Sequence, residues 1–302
     1  MTSVSPPTLP LADGAMSIGS FTDPVVVDPD PPLLAALAAA YRDAAPAAVA
    51  PDLDALRTAA QDDDDPLSQA TDLPTLTVLA RGSVVDALAD RFHPASRLAA
   101  LAETSVWDLR TLAEAQPNVV LAGQSDGCVL VAAAEGRDGD GERGPWCRIC
   151  GDATLRSRYS GLVADAEAIQ IRTPSRHRLY GALRDRCGST VADEAVGLLD
   201  AGADWDSAEA LDRGEARVRT YVAGARRGAL DRALRRACED AGLGSSATFT
   251  RIKRDLLDAD LLETESVSQP VGRPRQRLVA RGALADASSS SATLAALRKR
   301  DL

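Results

Sequence analysis

The period of the apolar positions changes several times along the chain. "DPVVVDPDPPLLAALAAAYRD" sets a β-branched run before a Pro/Asp turn, then Leu and Ala at helical spacing, with Pro31 and Pro32 suited to a helix start. "TLTVLA" (75–80) predicts a second strand. "SVVDALADRFHPASRLAALAE" predicts a second helix, interrupted near Pro94. "VWDLRTLA", "NVVLAGQ" and "GCVLVAAA" follow as three short strands, and "WCRIC" is a further candidate. "ATLRSRYSGLVADAEAI" and "SRHRLYGALRDRC" have helical spacing. Strands interleaved with helices, plus a run of hairpin-like strands, predict an α/β domain with a mixed sheet over 23–188.

The flanking segments predict other states. Residues 1–22 are rich in Pro, Ser and Thr and are expected to be disordered. Residues 44–74, with "QDDDDP", are expected to form an acidic, solvated insertion in the α/β domain. A helical linker is expected over 189–211, a winged helix over 212–281 and a flexible tail over 282–302. The start of the chain shows no signal peptide and no apolar run approaches the ~18 residues of a membrane span, so a cytoplasmic protein without membrane partners is expected.

The winged-helix expectation rests on an ordered set of features. "LDRALRRACEDAG" places Leu230, Ala233, Leu234, Ala237 and Cys238 on one face of a helix ended by Gly242. After "LGSS", Ser245 or Ser246 caps a second helix whose Phe249, Ile252 and Leu256 share its buried side. Thr250, Arg251 and Arg254 fall on the opposite side, and Lys253 lies towards the apolar edge. Two helices joined by a short Gly-containing turn are the helix-turn-helix arrangement, whose second helix enters the major groove. "LLETESVSQPVGRPRQRLVA" then predicts a hairpin with arginines at and just after its tip.

Charge sharpens this reading. The formal net charge is -10, with 33 Asp against 11 Glu and 32 Arg against 2 Lys. From Arg213 to Arg281, however, 15 cationic residues face 9 anionic ones. A local cationic excess in an acidic chain marks a nucleic-acid footprint. The acidic remainder fits a halophile, whose carboxylate surface keeps a protein hydrated in concentrated salt. Within "SSATFTRIKRDLLDADL" the cations precede the carboxylates Asp255, Asp258 and Asp260, so the early turns of the helix are the ones suited to DNA.

The segment "GLGSSATFTRIKRDLLDADLLETESVSQPVGRPRQRL" resembles the C-terminal part of the TbsP-type transcriptional regulators of haloarchaea, with a similar turn, Thr-Phe-x-Arg helix and Val-Gly-Arg-Pro-Arg wing. The resemblance is close over about 40 residues and weaker towards the N-terminus, where "IRTP" is similar; the 44–74 insertion and "CRIC" depart from the pattern. It implies a DNA-binding regulator with an N-terminal α/β domain. The expected DNA-binding residues are Ser245, Ser246, Thr248, Thr250, Arg251, Arg254, Arg273 and Arg275. Double-stranded DNA is the expected partner, and a homodimer the expected state.

Other chemistry is thinner. "CRIC" holds Cys147 and Cys150 at half of a zinc-ribbon spacing, but no second pair exists, so packed or free thiols are expected rather than a metal or redox site. The two histidines, His93 and His177, stand in no catalytic signature. Neither enzymatic activity nor a cofactor is expected. A small anionic metabolite could bind at strand ends beside helix N-termini, at Asp28, Arg81, Ser83, Arg172 and Thr173. The alternative function is a winged helix used for protein contact, or for dimerisation in a small-molecule-binding protein.

Overall fold

The structure is a computed structural model that describes residues 5–61, 72–132, 146–202, 211–269 and 274–298. It divides into two compact units: residues 1–51, 62–89 and 97–171 form the first, and 52–61, 90–96 and 172–302 the second.

Among the described residues, the first unit holds an eight-stranded mixed sheet. Its strands are β1 (Thr8–Leu11), β2 (Gly14–Ser17), β3 (Val25–Val27), β4 (Leu76–Ala80), β5 (Trp107–Thr111), β6 (Val119–Ala122), β7 (Gly127–Ala132) and β8 (Trp146–Gly151). Their order is β2-β1-β8-β7-β6-β3-β4-β5. β3, β4 and β5 run parallel, because helices α1 (Pro31–Ala44) and α4 (Gly82–Ala89) supply the crossovers. β6, β7 and β8 are antiparallel neighbours joined in sequence.

In β3 all three valines are buried. Val26 packs into one cluster and Val25 and Val27 into another, as alternation dictates for a strand covered on both faces. Asp30 caps α1 by accepting from Leu33 N–H at 2.9 Å, and Pro31 and Pro32 occupy its first turn. The short helices α2 (Pro46–Val49), α6 (Leu155–Arg158) and α7 (Ser160–Asp165) complete this unit. The expected mixed α/β sheet is present.

The second unit is mainly helical. α3 (Leu53–Gln61), α8 (Arg176–Cys187) and α9 (Ser189–Asp200) precede α10 (Arg213–Arg226), α11 (Asp231–Ala241) and α12 (Ser246–Asp258). An antiparallel pair, β9 (Leu262–Val267) and β10 (Arg275–Ala280), and helices α13 (Gly282–Asp286) and α14 (Ser290–Arg298) follow. α9 buries Val191, Ala192, Ala195, Val196, Leu198 and Leu199. Its C-terminal carbonyls are capped by a buried guanidinium: Arg219 Nη1 donates to Leu198 O and Ala201 O, both at 2.8 Å. Glu215 neutralises that charge at 2.6 Å.

The structure departs from expectation at several segments. Residues 8–17 form β1 and β2, burying Leu9 and Met16, instead of a disordered end. Part of the presumed solvated insertion is α3, whose Leu56 is buried in the core of the second unit. The helix break falls at Asp90–Arg91, not at Pro94, which sits in the first turn of α5 (Phe92–Glu103), where a proline breaks no hydrogen bond. α8 belongs to the second unit, so the division lies between Ile171 and Arg172 rather than after residue 188. α9 is core, not linker. The presumed tail contains α14, with Leu294 and Leu297 buried. The acidic run, with all of residues 62–71, lies outside the described residues.

Candidate nucleic-acid interface

Local sequence builds the α11–α12 turn. α11 ends at Gly242, whose φ of +87° is the left-handed conformation that favours glycine. Leu243 N–H then turns back to Cys238 O at 2.9 Å. Arg217 of α10 donates through Nε to Leu243 O at 2.7 Å and so ties the turn to the preceding helix. At Gly244 a Cβ would stand 3.2 Å from both Arg217 Nε and Phe249 Cε2, leaving little room for any side chain. Ser245 caps α12 by accepting from Thr248 N–H at 3.3 Å, and its hydroxyl lies 3.0 Å from that of Thr248.

α12 is anchored through Phe249, Ile252 and Leu256, all buried, and the Phe249 ring stacks on Tyr221 of α10 at 6.0 Å. Beneath it lies a polar hub. Asp231, at the start of α11, is 4% exposed yet ionisable, and it is fully engaged. Tyr221 Oη donates to Oδ1 at 2.6 Å, while Arg235 and Lys253 each reach Oδ2 at 3.2 Å. Lys253 also donates to Gln276 Oε1 of β10 at 2.6 Å. The strand pair is joined to the helices by backbone too: Leu278 N–H meets Ala229 O at 2.9 Å, and Leu230 bridges Arg277.

The expected contact residues separate by environment. Thr250, Arg251 and Arg254 are exposed on the side of α12 opposite its anchor. Arg251 and Arg254 form no ion pair among the described residues. Ser246 and Thr250 hydroxyls each accept from Arg235 Nη1 at 3.2 Å. Thr250 also donates to Ser246 O at 2.8 Å. Lys253 is half-buried and occupied by the hub. Arg275 is exposed at the start of β10, and Arg273 lies outside the described residues.

Residues that sequence reasoning missed extend the cationic surface. Burial first, then the charges of Arg213 and Arg251, hold the Arg217 guanidinium below its ordinary value, so these three cations share one region. Arg232, Arg235 and Arg236 of α11 were legible only as charge count, because nothing in "LDRALRRACEDAG" tells which arginines are paired.

The residues expected to bind a metabolite are divided between the two units. Asp28 and Arg81 meet within the first unit, Nε to Oδ1 at 2.7 Å, and Gln116 N–H takes the other carboxylate oxygen at 2.8 Å. Ser83 is exposed in the first turn of α4. Arg172 and Thr173 belong to the second unit, the first exposed and the second buried. Cys147 lies partly buried on β8 and is a free thiol, as are Cys187 and Cys238, while Cys128 is buried with its Sγ 3.9 Å from Met16 Sδ. Among the described residues, no helix is long and apolar enough to cross a membrane.

Comparison with known proteins bears on the second unit. No curated protein matches the chain, and no solved structure does. A family model described as "Transcriptional regulator TbsP-like, C-terminal HTH domain" matches residues 175–298, from the cap of α8 to the end of α14. The chain thus carries a C-terminal helix-turn-helix domain similar to that of TbsP-like transcriptional regulators.

Proposed function

We propose that the protein is a sequence-specific DNA-binding transcriptional regulator and that its C-terminal domain works as a winged helix. In this reading α12 lies in the major groove. Arg251, Arg254 and Thr250 read base edges, and Ser245, Ser246 and Thr248 meet phosphate at the helix N-terminus. β9 and β10 form the wing, with Arg273 and Arg275 on the backbone or minor groove. One observation carries the reading: Arg251 and Arg254 stand exposed and without an ion pair among the described residues, on a helix-turn-helix in a chain of net charge -10.

The basic-to-acidic polarity of α12 orients it. Its first turns suit the groove, and Asp255, Asp258 and Asp260 are better kept from phosphate. A homodimer would read two half-sites one helical turn apart. The α/β unit would then serve dimerisation or the sensing of a small anionic metabolite, in a cytoplasmic protein. In a saline cytoplasm the Debye length shrinks to about 3 Å at 1 M salt, so close base contacts would dominate over steering.

The test is selection of bound duplexes from a random pool by the intact chain, repeated with Arg251→Ala/Arg254→Ala. An enriched sequence that the variant no longer selects supports the reading. Absence of enrichment by the intact chain at every salt concentration overturns it.

A further inference from the structure

The second unit has a cleft of about 770 Å³ between α8, α11 and β10. Its walls include Arg186, Arg232, Arg235, Arg236, Arg275 and Gln276. Two carboxylates also line it, Asp185 and Asp231, but both are committed. Asp231 takes Tyr221, Arg235 and Lys253, and Asp185 takes Arg184. Arg186 is in turn paired with Asp240 on α11. That leaves Arg232, Arg236 and Arg275, all exposed and all without an ion pair among the described residues.

Many other arginines of this chain are paired. Arg57, Arg81, Arg176 and Arg226 each hold a carboxylate within 3 Å. Arg232 and Arg236 stand four residues apart on one helix, a like-charge spacing that disfavours the helix unless an anion lies between them. Guanidinium groups present planar forks that fit phosphate oxygens, and three on two elements can surround one anionic group.

We infer that this cleft is a phosphate-binding site, and that the phosphodiester backbone of the bound duplex fills it. The choice of source follows from continuity. Arg235 lines the cleft and also donates to Ser246 and Thr250 on α12; Gln276 lines it and accepts from Lys253. Cleft and reading face therefore share walls. A strand leaving the groove beside α12 passes over Arg235 onto Arg232, Arg236 and Arg275. The footprint then extends along α11 beyond the recognition helix. This inference rests on the DNA-binding reading above; a free phosphorylated small molecule offers the same chemistry as the second source.

The experiment compares the intact chain with Arg232→Ala/Arg236→Ala and Arg251→Ala/Arg254→Ala. Binding to a short mixed-sequence duplex is followed across a KCl series, and melting temperature is read with and without inorganic pyrophosphate. Both cleft residues are exposed, so the cleft variant is expected to melt with the intact chain. Its slope of log K against log[KCl] should fall by about 0.9 for each guanidinium that meets a phosphate. An unchanged slope in the cleft variant, while the α12 variant loses affinity, leaves DNA binding standing and overturns the cleft as a backbone site. Failure of the intact chain to bind the duplex overturns both. In either failure, stabilisation of the intact chain by pyrophosphate that the cleft variant lacks reassigns the cleft to a free phosphate. No such stabilisation overturns phosphate binding there altogether.

Discussion

Tyr221 on α10 gives its hydroxyl hydrogen to Asp231 on α11 at 2.6 Å, with both side chains buried. The same carboxylate takes Arg235 and Lys253, so one anion joins three helices and, through Gln276, the strand pair. Asp231→Ala leaves two cations and a hydroxyl without their acceptor. It is expected to destabilise the second unit by about 3–5 kcal/mol, the cost of breaking a buried pair from one side. Tyr221→Phe removes one hydrogen bond to a charged group and should cost less, about 1.5–3 kcal/mol. Urea unfolding of both variants checks the order; equal costs would show that Asp231 is not shared.

Lys253 and Arg251 are two residues apart but have opposite assignments. Lys253→Ala should lower the urea midpoint and leave the selected DNA sequence unchanged, because its ammonium is spent within the domain. Arg251→Ala should leave the midpoint unchanged and cost about 1–3 kcal/mol in affinity if it bridges a guanine. Paired unfolding and gel-shift measurements separate them, and a loss of sequence preference in the lysine variant would reverse the assignment.

Gly224 lies where α10 meets α11, and a Cβ there would press into the fully buried Leu234 side chain, 3.1 Å from Cδ1 and 3.2 Å from Cγ. Gly224→Ala is expected to cost about 1–3 kcal/mol by overpacking. The cost should shrink on a Leu234→Ala background, where space has been made. Strict additivity in that double-mutant cycle would mean the two do not press on each other.

Alkaline pH should weaken the fold. Burial, then Asp231, holds the Tyr221 hydroxyl above its ordinary 10.0, and burial, then Asp193, pushes Tyr180 up to about 12. Burial pushes the Cys187 thiol from 9.0 up to about 11. Each group keeps its proton longer folded than unfolded, so above pH 9.0 the native state binds more protons and stability falls as pH rises. The contribution is fully present below the unfolded values and lost on passing through the folded ones. A urea midpoint that falls across this range, less steeply in Tyr180→Phe, is the expected result; a flat profile would contradict it.

The α12 helix was legible because its information is local. Phe249, Ile252 and Leu256 repeat at the helical period, Ser245 caps, and Gly242 ends the helix before, all within a few residues. The hub was not legible, since Asp231 finds partners 10 and 22 residues away and no pattern in the sequence pairs them. β1 was hidden by its Pro and Thr content. Its place depends on β2 beside it and on β8, where Leu11 pairs with Trp146 far along the chain. α3 was obscured by the neighbouring Asp run, although Leu53, Leu56 and Ala60 share a helical face. Charge patterning exposed a cationic region but not its division into paired and unpaired arginines, which only the fold makes.

Residues 52–61 and 90–96 place Leu56 and Phe92 in the same core as α8 to α12. Phe92 N–H bonds Leu211 O at 2.7 Å, and Arg184 Nη1 bonds Ala60 O at 2.6 Å. The second unit is thus stitched from three separate lengths of chain. A fragment starting at Arg172 would omit two of those stitches and bare the apolar surface they cover. Recombination at a single crossover could not hand this unit intact to another protein.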